Sequence, residues 1–259
     1  MKKNFFFTAL AIILLVSAAD LAGQNDDKFL NRLNPVKRGE GFSHIAEDYY
    51  IHGTAMLKEG NFRDALNDFE RAIKEYPGYT EAFNGRGISL RNLGDDNGAL
   101  ESFTRALELD PNYEEAYNNR GNIYLDRADY EKAIEDYSAA LAINKWLPNT
   151  YNNRGIARRS TGDFKGAIDD FNEAVNQERR FADAYNNRGL AKNELNDYTG
   201  AIEDFTLAIR YSAGSDIAYT NRALVRFKTG DKEGACKDLR IASAKGNLQA
   251  KELSREKCQ

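Results

Sequence analysis

Residues 114–147 read EEAYNNRGNIYLDRADYEKAIEDYSAALAINKWL, and residues 148–181 and 182–215 replay that line with changes, as PNTYNNRGIARRSTGDFKGAIDDFNEAVNQERRF and ADAYNNRGLAKNELNDYTGAIEDFTLAIRYSAGS. Outward from there the period persists. Gly53, Gly87, Gly121, Gly155 and Gly189 fall 34 residues apart, and Ala223 continues the row. Ala65, Ala99, Ala133, Ala167, Ala201 and Ala235 keep the same spacing, as do Phe69, Phe103, Tyr137, Phe171, Phe205 and Leu239, and Ala72, Ala106, Ala140, Ala174, Ala208 and Ala242. Six units, at 46–79, 80–113, 114–147, 148–181, 182–215 and 216–249, follow one another without an insertion or deletion. A fixed period in this range means that each unit buries its apolar face against its neighbours.

Within a unit the apolar positions predict helix, turn, helix. Tyr117, Gly121 and Tyr124 lie at i, i+4 and i+7 on one helical face, and Ala133, Tyr137 and Ala140 repeat the spacing on a second helix. Small residues opposite large ones let the two helices approach closely. Between the helices stand Gly60, Gly94, Ala128, Gly162, Asn196 and Gly230, at a position that suits the left-handed conformation ending a helix. The next residues, Asn61, Asp95, Asp129, Asp163, Asp197 and Asp231, are of the types that cap a helix start. Pro77 and Pro111 fall where a second helix stops. Gly98, Gly166, Gly200 and Gly234, just before the repeat Ala, are expected to permit close helix contact.

These rows resemble the tetratricopeptide repeat family, whose unit carries an aromatic at position 4, Gly or Ala at 8, Ala at 20, an aromatic at 24, Ala at 27 and often Pro at 32. Position 4 is here Tyr49, Phe83, Tyr117, Tyr151, Tyr185 and Tyr219. The resemblance implies an all-α fold: a right-handed superhelical solenoid of six helix-turn-helix units. The first helices would line a concave groove, and the usual role would be to bind proteins or peptides without catalysis.

In that fold, positions 2, 5, 9 and 12 of each first helix face the groove. Position 5 is Asn84, Asn118, Asn152 and Asn186, an amide row able to meet a peptide backbone. Position 9 includes Ile88, Asn122, Ile156, Leu190 and Leu224, and Phe227 at position 12 extends the apolar stripe. An apolar stripe beside amides suits an extended or helical peptide. Packing of the apolar residues between units is the competing reading. Family members that grip a terminal carboxylate carry Lys and Arg in the groove. Here position 5 has no Lys, and position 2 is Glu47, Glu81, Glu115, Asn149, Asp183 and Ile217, which leans towards a partner with basic character.

Position 7, usually apolar in the family, is Arg86, Arg120, Arg154, Arg188 and Arg222. Position 23 offers Asp68, Ser102, Asp136, Asp170, Asp204 and Asp238. Charge-assisted pairing between the two rows is expected in preference to an anion-binding row. Spacing leaves open whether the pairs lie within a unit or between units. Trp146, the single Trp, sits in the irregular junction Asn144-Lys145-Trp146-Leu147-Pro148. It reads equally as a binding hot spot or as a plug for the altered turn.

After the sixth unit a polar capping helix is expected, its end at 250–259, because the last repeat has no neighbour to cover it. With a turn at Lys245-Gly246-Asn247, two antiparallel helices bring Cys236 and Cys258 to the same end. A Cys236–Cys258 disulfide is expected, contributing roughly 3 kcal/mol. Its alternative is a buried Cys236 beside a frayed Cys258. Many bacterial members of the family end in a similar Gly-Ala-Cys to Cys pattern, which supports the bridge.

The chain begins Met1-Lys2-Lys3, continues with an uncharged apolar run from Phe5 to Val16 and then has Ser17, Ala18 and Ala19. This is the order of a secretory signal peptide, read here as residues 1–23 and too short for a spanning helix of roughly 20 apolar residues. Residues 24–45 read as a linker or pro-region. The expected location is the bacterial periplasm or outside the cell, with no lipid-modified Cys near the cleavage region and no membrane span after cleavage.

The 259 residues are 42% hydrophobic and 29% charged, with four Pro and twenty Gly, which excludes collagen-like and disordered chains. The net charge of −4 lacks the basic excess of a nucleic-acid binder. Two His and two Cys are too few for a zinc cluster or a histidine triad, so neither catalytic residues, nor a metal, nor a cofactor are expected. The function read from the sequence is a non-enzymatic scaffold of the cell envelope that captures a protein or peptide in its groove. The alternative is a structural subunit that assembles a larger envelope complex through its convex face or edges. Homo-oligomerisation is left open.

Overall fold

The computed structural model describes residues 43–258, which leaves the expected signal peptide and nearly all of the linker outside the described residues. Thirteen α-helices and no strand lie among the described residues. They are α1 (His44–Lys58), α2 (Phe62–Glu75), α3 (Thr80–Asn92), α4 (Asp96–Leu109), α5 (Glu114–Asp126), α6 (Tyr130–Ile143), α7 (Pro148–Ser160), α8 (Phe164–Gln177), α9 (Ala182–Glu194), α10 (Tyr198–Tyr211), α11 (Asp216–Lys228), α12 (Lys232–Ala244) and α13 (Leu248–Lys257). The first twelve form six antiparallel pairs that stack into a right-handed superhelical solenoid, and α13 covers the last pair.

The turn residues behave as their types dictate. Gly60, Gly94, Gly162 and Gly230 have φ between 78° and 88°, and Ala128 (58°) and Asn196 (62°) adopt the same left-handed conformation. Asp95, Asp163, Asp197 and Asp231 accept the backbone N–H three residues on, at 2.9–3.0 Å, and so cap α4, α8, α10 and α12. Asn61 and Asp129 make no side-chain cap; Asp129 holds Lys132 at 2.6 Å instead.

That difference explains the glycines before the repeat Ala. A Cβ on Gly166, Gly200 or Gly234 would fall within about 2.3 Å of the capping carboxylate, and one on Gly98 within 2.5 Å. In α2 and α6, Asp64 and Lys132 occupy that position, and there the cap is missing. The close helix contact expected of these glycines is thus corrected for Gly166, Gly200 and Gly234, which make room for a capping side chain; at Gly98 a Cβ would meet both the Asp95 carboxylate and, at 3.2 Å, Leu90 of the paired helix.

The core repeats with the sequence. Ala65, Ala99, Ala133, Ala167, Ala201 and Ala235 are fully buried, as are Phe69, Phe103, Tyr137, Phe171, Phe205 and Leu239. Each ring lies against the position-8 glycine of its own unit; a Cβ there would come within 2.5–3.0 Å of ring carbon. In the sixth unit Leu239 replaces the ring and Ala223 replaces the glycine.

Candidate functional site

The first helices carry a row of amides that bond from one repeat to the next. Asn119 Nδ2 donates to Asn84 Oδ1, Asn187 Nδ2 to Asn152 Oδ1 and Asn221 Nδ2 to Asn186 Oδ1, each at 3.0 Å. The donor stands one position after the acceptor, in the next unit. The third unit departs from this. Asn118 Oδ1 accepts from Thr150 at 2.8 Å, and Asn122 Oδ1 accepts both from Asn153 at 3.0 Å and from the Tyr137 hydroxyl at 2.7 Å. Asn122 stands where other units have Ile, Leu or Thr because Tyr137, unlike Phe, brings a hydroxyl that needs an acceptor.

The position-5 row therefore serves the solenoid as well as its surface. Asn84 and Asn152 are buried, and Asn84 Nδ2 also reaches the Tyr113 hydroxyl at 3.4 Å. The groups with no bond among the described residues are Nδ2 of Asn118 and Asn186 and Oδ1 of Asn119, Asn187 and Asn221. Ile88, Ile156, Leu190 and Phe227 are half-buried against the cores of their own and adjoining repeats, and Leu224 is half-buried. Further down the same face the offset recurs: Arg91 bonds Asp126 at 2.6 Å, and Lys228 Nζ donates to Asn193 Oδ1 at 2.9 Å.

The arginine row resolves the pairing question in both directions. Arg120, Arg154, Arg188 and Arg222 each bind the position-23 carboxylate of their own unit through Nε and an Nη, at 2.5–3.0 Å. The remaining Nη donates across to the preceding unit, to Thr104, Ser138, Asn172 or Thr206. Arg86 has Ser102 in its own unit and Glu70 in the preceding one. A guanidinium has enough donors in a fixed fork to do both. Hydrogen bonding to Asp136 raises the Arg120 pKa above its ordinary value. Each of the four guanidiniums also lies over the position-4 ring of its own unit, Tyr117, Tyr151, Tyr185 or Tyr219, at 5.2–5.7 Å.

Four members of this network escape a reading of rows. His52 occupies position 7 of the first unit, and its Nδ1 hydrogen-bonds Asp68 at 2.5 Å. Arg158, Lys192 and Arg226, at position 11, add a second cation to Asp170, Asp204 and Asp238 at 2.8–3.0 Å. Position 11 is basic only in the last three units, so no full row flagged it.

Cys236 and Cys258 form a disulfide, with Cα atoms 5.6 Å apart. The bridge ties α13 to α12 beside the cluster of Ala223, Ala235, Leu239, Ala242 and Ala250. Gly246 (φ 99°) makes the turn, and Asn247 caps α13 by accepting from Ala250 N at 2.8 Å. Trp146 is 70% exposed, so it does not plug the altered turn. Gln177 Nε2 steadies that junction by donating to the Lys145 carbonyl at 2.7 Å. No group of three metal-ligating side chains converges among the described residues.

Stacked helical hairpins, bonded through amide and arginine rows and closed by a polar helix, define an α-solenoid scaffold. Sequence profiles described as Tetratricopeptide repeat match residues 52–114, 114–146 and 152–217, more than half of the chain. The chain belongs to the tetratricopeptide repeat family. Among solved structures it is similar to MamA, at 27% identity with a TM-score of 0.60 over 64% of this chain and 96% of that one. PilF of Pseudomonas aeruginosa matches at 17% identity and a TM-score of 0.72, over 84% of this chain and 100% of its own. YrrB, described as a TPR protein with an unusual peptide-binding site, matches at 20% identity and 0.64, over 73% and 97%. The last two likenesses speak for the fold. No curated protein matches the chain.

Proposed function

We propose that the protein is an exported scaffold of the cell envelope that captures a protein or peptide along the face lined by α1, α3, α5, α7, α9 and α11. The observation that carries this reading is the polar and apolar surface of that face. Amide groups of Asn118, Asn119, Asn186, Asn187 and Asn221 lie beside Ile88, Ile156, Leu190 and Leu224, on helices held in register by their own side chains. A preformed surface of this kind binds an extended segment with little ordering cost in the receptor. Export is supported by the Cys236–Cys258 bridge, which suits an oxidising compartment, and by the basic-apolar-small order of residues 1–23. No described helix is long and apolar enough to cross a membrane.

Asn152 is buried and Ile156 packs on the core, so substituting them damages the fold along with the groove. Ile217→Asp with Leu224→Asp alters the same face at an exposed and a half-buried position. Affinity capture from envelope extract is expected to recover a partner with the unaltered protein and to lose it with this variant, both proteins melting alike. Equal recovery by both overturns groove capture. N-terminal sequencing of the protein from a periplasmic fraction is expected to begin within residues 18–24; a chain retaining Met1 in the cytoplasm overturns export.

A second reading is favoured by the first helix. Ile45 (56% exposed) and Ile51 (52%) leave α1 apolar at the end of the stack, which suits edge-to-edge assembly into a larger complex. Ile45→Asp, ahead of the groove-lining positions, is expected to abolish such assembly, read by light scattering of the assembled complex, while leaving groove capture intact.

A further inference from the structure

The arginines and lysines of the first helices are almost all committed. Those at positions 7 and 11 bind the buried carboxylates of Asp136, Asp170, Asp204 and Asp238. Arg86 binds Ser102 and Glu70, Arg91 binds Asp126, and Lys228 donates to Asn193. The exceptions are Lys58, exposed at the end of α1, and Arg159. Arg159 stands at position 12 of α7, on the groove face, and is half-buried. Its Nε is shut off from solvent without a hydrogen-bond partner, and its guanidinium makes no ion pair among the described residues.

The fold does not ask for this charge. Position 12 is Leu57, Leu125, Asn193 and Phe227 in four other units, so the repeat packs there without a cation. A shielded N–H with no acceptor is destabilising, so Arg159 weakens the repeat that carries it. A partner within the chain is nonetheless close at hand. Arg91 meets Asp126, and Asn193 meets Lys228, each by a step from position 12 to position 13 of the next unit. The same step sets Glu194 opposite Arg159. Glu194 is exposed and accepts only from its neighbour Asn193, at 3.4 Å. Arg158, next in the chain, is turned instead to Asp170 and Asp163. The carboxylates at position 2 stand ten residues earlier on their helices, about 15 Å along the axis. Arg159 is therefore left open on the groove side.

What surrounds it fits an incoming chain. Ile156 stands one turn earlier on α7 and Leu190 at the matching position of α9, both half-buried, and Asn186 Nδ2 is unspent. A guanidinium presents a fork of donors matched to a carboxylate. We infer that Arg159 is an anchor for an acidic side chain: an Asp or Glu within a bound peptide docks its carboxylate there, with apolar neighbours set on Ile156 and Leu190. This rests on the reading of the groove as the capturing surface, and it names the chemistry of the captured segment at the fourth and fifth repeats. A terminal carboxylate would offer the same charge, but a chain end cannot continue along the apolar row on both sides of Arg159.

The test uses the full exported chain and labelled, C-terminally amidated peptides of leucines and serines around a central Glu, Gln or Lys, titrated by fluorescence anisotropy at low salt. The Glu peptide is expected to bind at least tenfold more tightly than the Gln peptide, with the Lys peptide weakest. High salt is expected to reduce the difference. Arg159→Met is expected to remove most of it while leaving the melting temperature unchanged or higher, and Arg159→Lys to keep part of it. Equal binding of the Glu and Gln peptides, or Glu-peptide binding unaffected by Arg159→Met, overturns the anchor and leaves groove capture standing. A lower melting temperature for Arg159→Met gives the residue to the fold and also overturns it. So does a Gln peptide with a free C-terminus that binds as tightly as the amidated Glu peptide, since the carboxylate read is then a chain end. Binding by none of the peptides overturns the anchor as well. In that case, loss of the envelope partner with Ile217→Asp and Leu224→Asp keeps groove capture, and its retention ends both readings.

Discussion

Gly155 illustrates how tightly single residues are specified. A methyl group there would lie 2.6 Å from the Phe171 ring, so Gly155→Ala must displace either the ring or a helix. The expected cost is about 1–3 kcal/mol by urea denaturation. The sixth repeat shows the compensation, since Ala223 stands against Leu239. Adding Phe171→Leu to Gly155→Ala is accordingly expected to cost less than the sum of the two changes, by about 1 kcal/mol in a double-mutant cycle. Ala128 is the converse case, a side chain in the left-handed region at φ 58°. Ala128→Gly is expected to stabilise the chain by roughly 0.5–1 kcal/mol, the strain relieved being partly offset by unfolded-state entropy. The glycine and aromatic rows were legible because identical demands recur at identical spacing. His52 was not, since it does the work of an arginine with a different residue type. Nor was the duty of Asn84, Asn152 and Asn186 as bond acceptors between repeats, because their partners lie 35 residues on rather than 34.

Elements are joined here by caps and ion pairs whose energies differ greatly. Asp163 caps α8 on the surface, and Gly166 gives it room. Asp163→Ala is expected to cost about 1 kcal/mol. Gly166→Ala is expected to be nearly neutral, because expelling the cap and improving helix propensity each amount to about 1 kcal/mol with opposite sign. In a chain already lacking the Asp163 carboxylate, Gly166→Ala should therefore stabilise, and thermal melts of the four variants check this. Asp170 is a weightier case. It is almost fully buried between Arg154 and Arg158, at 2.7 and 3.0 Å. Asp170→Ala leaves two partly buried cations without their anion, and a loss of about 3–5 kcal/mol is expected. Which helices pair was legible from the period. The energetic weight of each junction was not, because burial of a carboxylate depends on the packing of two helices around it.

At the scale of the whole molecule, a solenoid has only neighbour contacts, so a local change should be felt locally. The Cys236–Cys258 bridge closes 22 residues and holds α13 over the apolar end of the sixth repeat. It acts chiefly by restricting the unfolded chain, and its removal is expected to cost about 3 kcal/mol. In a globular core that loss would be shared by every residue. Here it should remain at one end. Reduction, or Cys258→Ser, is expected to accelerate amide hydrogen exchange in α11, α12 and α13 and to leave α3 to α8 unchanged under native conditions. Uniform acceleration from α1 to α13 would show that the arginine and amide bonds between repeats couple the stack into a single cooperative unit. The two results are separable because α3 to α8 touch neither the bridge nor its cluster. The first result also predicts that reduction leaves the capturing face of α3, α5 and α7 intact. The groove then needs the bridge only as far as its last repeat takes part in binding.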